Sequence, residues 1–121
     1  MARILISSEA YAVCNGGATL LNDFSKTKWW QGLIIEFFIT FLLVTVILLV
    51  ALDTKSKTGL ASILIGFALA GNILTAGSYT GASMNPARSL GPAIIANEWK
   101  NHCIYWIGPL LGGAIAGLMY R

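Results

Sequence analysis

The sequence predicts an all-α membrane protein built from three transmembrane helices and one re-entrant half-helix. Three observations carry this. Of 121 residues, 56% are hydrophobic and only 11% charged, too few charges to solvate the surface of a water-soluble domain of this length. Two long apolar runs, residues 29–52 and 102–120, match the roughly 20 residues that a helix needs to cross the hydrocarbon core. Between them, Ser83-Met84-Asn85-Pro86-Ala87-Arg88-Ser89 sets an amide, a helix-starting proline and an arginine among apolar stretches, where polar groups are costly and mark pathways.

Taken in order, residues 1–28 read as the remnant of a preceding element and a loop. Asn15-Gly16-Gly17 is a turn signal and Asn22-Asp23-Phe24-Ser25-Lys26 is polar. The opening Met1-Ala2-Arg3-Ile4-Leu5-Ile6 is too short an apolar run for a secretory signal. Residues 29–121 form the main unit. Its first span opens at Trp29 and Trp30, whose rings suit the membrane interface, and ends at the polar Asp53–Gly59 connection. The second, residues 60–76, carries Gly66 and Ala70 four apart, a spacing that admits a close helix neighbour, and Gly77-Ser78-Tyr79-Thr80-Gly81 is expected to break it.

The half-helix covers residues 86–95. Pro86 suits the first helical position because its missing N–H has no partner there anyway, and Asn85 suits the cap. Gly91-Pro92 is expected to distort this helix or end it early. Asn97–Asn101 returns the chain to water. In the last span, Gly108, Gly112, Gly113 and Gly117 supply further close-packing pairs. Lys26, Lys28 and Lys100 flank one side and Lys55, Lys57 and Arg121 the other, so charge leaves the orientation open.

A half-helix that begins inside the membrane aims unpaired backbone N–H groups, and about half a positive charge, at whatever lies beyond its N-terminus. Asn85 adds side-chain donors there, Arg88 adds a fixed charge one turn later, and the carbonyls of residues 79–83 add acceptors. Irregular backbone at this depth is tolerated only when buried in protein or lining a watery cavity. Together these groups suit a polar track that opposes cations and protons. Glu36, eight residues into an apolar run, must be paired, protonated or hydrogen-bonded.

These residues resemble the second half of an aquaporin, a member of the major intrinsic protein family. The resemblance rests on Glu36, the Gly-rich second span, Gly81-Ala82-Ser83-Met84-Asn85-Pro86-Ala87-Arg88-Ser89-Leu90-Gly91-Pro92 and Tyr105-Trp106-Ile107-Gly108-Pro109, in that order. It implies six spans in two inverted repeats, of which this chain holds the second, so a missing N-terminal repeat is the expected partner and the chain is expected to be a fragment. It also implies homotetramers of whole channels, a cytoplasmic Asp53–Gly59 loop and Arg121, and Asn85 facing away from the cytoplasm. Residue by residue, it implies that Asn85 is a midplane donor, Arg88 the selectivity-filter arginine, Ile73 and Ala82 further filter positions, Gly81 and Ser83 pore-lining backbone, and Glu36 the support of the re-entrant loop. An apolar Ile73 and a small Ala82 imply a relaxed filter, whereas Ser89 resembles the water-channel branch, with an insect-type member as the expected kind.

The expected function is therefore passive transport of water, with glycerol and urea as further candidate solutes, in an integral membrane protein of the plasma membrane. The alternative is a non-conducting membrane protein acting in adhesion, in signalling or as a dominant-negative partner of a full-length channel. No enzyme is expected, because no catalytic triad or phosphate loop is present. The spacing of Cys14, Cys103 and the single His102 suits no metal site, and no cofactor is expected. The net charge of +3 is scattered, without the basic run that a nucleic-acid partner needs. Trp99, Tyr105 and Trp106 read as interface anchors and packing residues.

Overall fold

The computed structural model describes residues 17–22, 25–56 and 58–121. The expectations for residues 1–16, Cys14 among them, lie outside these. Among the described residues four helices follow one another: α1 (Trp29–Ile47), α2 (Ala61–Thr80), α3 (Pro86–Ala96) and α4 (Ile104–Tyr120). α1 is prolonged by a π-helical turn, Leu48–Leu52, closed by Asp53 N–H donating to Leu48 O at 2.9 Å. This gives a continuous apolar rod of 24 residues, and α2 is a second helix of 20 residues long and apolar enough to cross a membrane. α4 is apolar over 17 residues.

α1 lies against α4 along most of its length and against α2 on another side. The α1–α4 contact is close because α4 presents glycines to it. A Cβ on Gly112 would stand 2.4 Å from Phe37 O, and one on Gly108 would stand 2.8 Å from Glu36 Cβ. Without a hydrophobic drive between helices in lipid, such backbone approach is what holds them together. Elsewhere large apolar side chains face outward, Phe67 at 72% exposure and Leu74 at 86%. Faces of that kind need lipid or protein against them.

Two helix limits differ from the sequence expectation, each for a local reason. α2 does not break at Gly77 but continues to Thr80, where Gly81 takes the left-handed conformation (φ 81°) and its N–H closes on Gly77 O at 3.1 Å. The remaining carbonyls of that end also find donors. Asn22 Nδ2 donates to Ser78 O (2.8 Å), Asn22 N–H to Tyr79 O (3.0 Å) and the Tyr105 hydroxyl to Thr80 O (2.8 Å). A helix end satisfied this completely has no reason to stop earlier.

α3 likewise runs through Pro92 to Ala96 and stops at Asn97, left-handed at φ 53°. Gly91 explains the tolerance: with no Cβ, it avoids part of the clash that a proline ring imposes on the preceding residue. The same Gly-Pro pair sits inside α4 as Gly108-Pro109.

At the other end of α1, the Asp53 carboxylate accepts from the Ser56 hydroxyl and from the Ser56 and Lys55 N–H groups. These bonds, the Ser56 hydroxyl first, hold its pKa below the usual carboxylate value. The Ser56 hydroxyl also lies 2.9 Å from Leu49 O, tying the connection to the π-turn.

Candidate functional site

The site is the connection between α2 and α3, and its backbone is wound unusually tightly. Gly81, Ala82 and Met84 all have positive φ, at 81°, 46° and 56°. For Ala82 and Met84 this conformation costs about 1–2 kcal/mol each, so the surroundings must hold it in place. Two charged side chains do so, and they divide the backbone between them.

Glu36 takes the N–H groups. It is fully buried, and its Oε1 accepts from Ser83 N–H (2.9 Å) and the Thr80 hydroxyl (2.7 Å), while Oε2 accepts from Met84 N–H (2.9 Å). Thr80 is free to donate because its oxygen itself accepts from Ala82 N–H at 3.1 Å. Of the ways a carboxyl at this depth is made tolerable, hydrogen bonding is the one used here.

Arg88 takes the carbonyls. Its Nη1 donates to Ala82 O at 2.7 Å and lies 3.4 Å from both Gly81 O and Ser83 O. The rest of the guanidinium has no partner among the described residues, and the side chain is exposed. Asn85 caps α3 with its oxygen: Oδ1 accepts from Ala87 N–H (2.9 Å) and Arg88 N–H (3.3 Å). Its Nδ2 donors are thereby turned outward, and they too lack a partner among the described residues.

Thus Gly81, Ala82, Ser83, Asn85 and Arg88 are brought together, with Glu36 behind them. Ala82 enters through its backbone, since its methyl is buried with Ile39, Ala76 and Met84. Ile73 stands apart on α2 at 41% exposure. Arg88, the outward donors of Asn85 and the N-terminus of α3 give this face a positive potential beside a run of acceptors.

Several supporting residues escaped the sequence reading. Thr80 joins Glu36 to the loop, and Tyr105, expected as an anchor or packing residue, is a packing one, fully buried with its hydroxyl on Thr80 O. Trp99 and Trp106 remain exposed at 48% and 39%. Ser89 is buried and joins Thr19 and Ser83 in a chain of hydroxyls at 2.5 Å, and Ser83 Oγ donates on to Asn85 O at 2.8 Å. In the sequence Ser89 stands out only through its resemblance to the water-channel branch.

The chain matches the family described as Major intrinsic protein over residues 2–120. It is 46% identical over 110 residues to the probable aquaporin TIP2-2 of Oryza sativa subsp. japonica, a match covering 89% of this chain and 44% of that protein. It is 44% identical over 99 residues to aquaporin TIP4-1 of Arabidopsis thaliana, covering 80% and 40%. With a probable TIP-type aquaporin of Medicago sativa it shares 51% identity over 92 residues, covering 74% and 37%. The chain therefore spans less than half the length of these curated relatives. They are plant proteins of the TIP type, which corrects the expectation of an insect-type member.

Proposed function

The chain belongs to the major intrinsic protein family, and from that premise we propose that it supplies one half of a passive transmembrane pore for water. The family is one of channels and not of enzymes. The observation that carries the proposal is the division of the Gly81–Met84 backbone. Glu36 draws the N–H groups inward, Arg88 and the carbonyls of Gly81, Ala82 and Ser83 lie on the other side, and Asn85 adds free donors next to them. Water donates to the carbonyls, then accepts from Asn85, exchanging partners along the track without leaving a group unsatisfied. Arg88 and the positive end of α3 repel cations and protons.

In this reading α1, α2 and α4 each cross the bilayer. α4, with 17 residues, spans about 26 Å at 1.5 Å per residue, which suffices at a small tilt or in a locally thinned bilayer. α3 has 11 residues, or about 16 Å, half a bilayer core, so its N-terminus sits near the midplane. The exposed polar groups there cannot face lipid. A preceding repeat of opposite topology covers them, and whole channels assemble as homotetramers. The TIP designation of the relatives, for tonoplast intrinsic, favours the vacuolar membrane over the plasma membrane expected from sequence alone.

The test is osmotic swelling of vesicles. The chain joined to the first repeat of a TIP-type relative should give fast water flux, and the chain by itself should give little. Equal flux from the chain by itself would contradict the half-pore reading. Absence of fast flux from the joined protein, with its insertion verified, would contradict the water channel. Within the joined channel, Ile73→His should lower glycerol flux several-fold and preserve water flux, because it narrows and polarises the face that Ile73 leaves apolar. Unchanged glycerol flux would remove Ile73 from the filter.

A further inference from the structure

Met84 presents a problem that Glu36 only half solves. It adopts a left-handed backbone at φ 56°, immediately before the capping Asn85. Glu36 holds its N–H, but that one bond does not fix the torsion after it, which places Asn85. The side chain is buried, at 7% exposure, and its sulfur has a donor. Asn72 Nδ2 lies 3.3 Å from Met84 Sδ, within range for an N–H donor on a thioether. The same nitrogen is 2.8 Å from Ile39 O. Asn72 is itself buried at 7%, on the side of α2 that meets α1. One amide on α2 thus touches two other elements: the backbone of α1 and the residue before Asn85.

We infer that Asn72 is a positioning residue for the water path: by holding the Met84 side chain against α1 and α2, it sets where Asn85 presents its free donors. This rests on the proposed water pore but makes a chemical claim that does not need flux. A thioether whose lone pair accepts a hydrogen bond is a poorer nucleophile, and burial protects it further. Met84 is therefore slow to accept an oxygen atom from hydrogen peroxide, the reaction that forms methionine sulfoxide and water. Met119, exposed at 74%, serves as the internal reference in the same chain.

The experiment treats the joined channel, reconstituted in vesicles, with dilute hydrogen peroxide and follows Met84 and Met119 oxidation by peptide mass spectrometry. Asn72→Leu should speed oxidation of Met84 at least three-fold and leave Met119 unchanged. An unchanged Met84 rate overturns the inference. Should both methionines speed up, the variant has lost its fold, and Met84→Leu decides. That change removes the sulfur while leaving the Asn72 bond to Ile39 O and nearly the same volume. In the joined channel Met84→Leu should alter the glycerol-to-water flux ratio by two-fold or more, and an unaltered ratio overturns the inference. If Asn72→Leu exposes Met84 while the channel conducts no water in any form, the clamp stands and the pore reading fails.

Discussion

Glu36→Ala is expected to be the most damaging single substitution in the chain. It strands three buried donors at once, the N–H groups of Ser83 and Met84 and the Thr80 hydroxyl. Each unsatisfied donor costs about 1–3 kcal/mol, and in a bilayer no water is at hand to replace the lost acceptor. The total places this change among the exceptional losses, above about 4 kcal/mol. Glu36→Gln should fall between. Its single amide oxygen can replace Oε1 for Ser83 and Thr80, but its NH2 then confronts Met84 N–H, a contact between two donors. The expected order of thermal stability in detergent is therefore wild type, Gln, Ala, with water flux in the joined channel falling in the same order. Glu36→Ala as stable as wild type would show that the loop does not depend on this carboxylate.

Gly112→Ala is the second large effect, and it acts on packing. The added methyl would meet Phe37 O at 2.4 Å and Phe41 N at 3.0 Å. Both are backbone atoms of α1, which cannot rotate aside as a side-chain tip can. The helices must separate, at a cost of about 1–3 kcal/mol or more for an overpacked contact. Glu36 sits on the same stretch of α1, so the separation also moves the carboxylate away from Ser83 and Met84. Gly117→Ala is the control, because nothing lies within 4 Å of a Cβ there. Relief of the helical glycine should leave it neutral or more stable by about 0.5–1 kcal/mol. Thermal unfolding of the two variants in the same detergent should separate them clearly, and equal midpoints would contradict the close α1–α4 contact.

What could be read from the sequence was what depends on neighbouring residues. Asn85 and Pro86 announce a helix start because capping by an amide oxygen and the fixed φ of proline are local chemistry. An unexplained carboxylate at Glu36 announces a buried partner for the same reason, since its cost is plain without knowing who pays it. The partners themselves are remote. Thr80 is 44 residues from Glu36, and Tyr105 is 25 from Thr80. Nothing in the run Ser78-Tyr79-Thr80 distinguishes a helix end held by three outside donors from a broken one, so by sequence the helix reads as ending before Gly77. Asn72 left no signal for a related reason. A polar side chain in a Gly-rich, apolar helix gains its meaning only when α1 and Met84 arrive beside it. That the similar proteins are plant ones of the TIP type could not be read from single positions such as Ile73 and Ala82.

In the proposed pore, water passes Asn85 and Arg88 and also the separate position Ile73 on α2. Mercurial block of an added thiol tests it most directly, with Ile73→Cys compared against wild type in the joined channel. Ile73 is 41% exposed, and the wild-type chain already carries the exposed Cys103 as a background thiol. Osmotic water flux through Ile73→Cys should fall by most of its value on adding mercurial and recover with a reducing thiol, while wild type loses little. Ile73→Cys flux no more sensitive than wild type would contradict the claim.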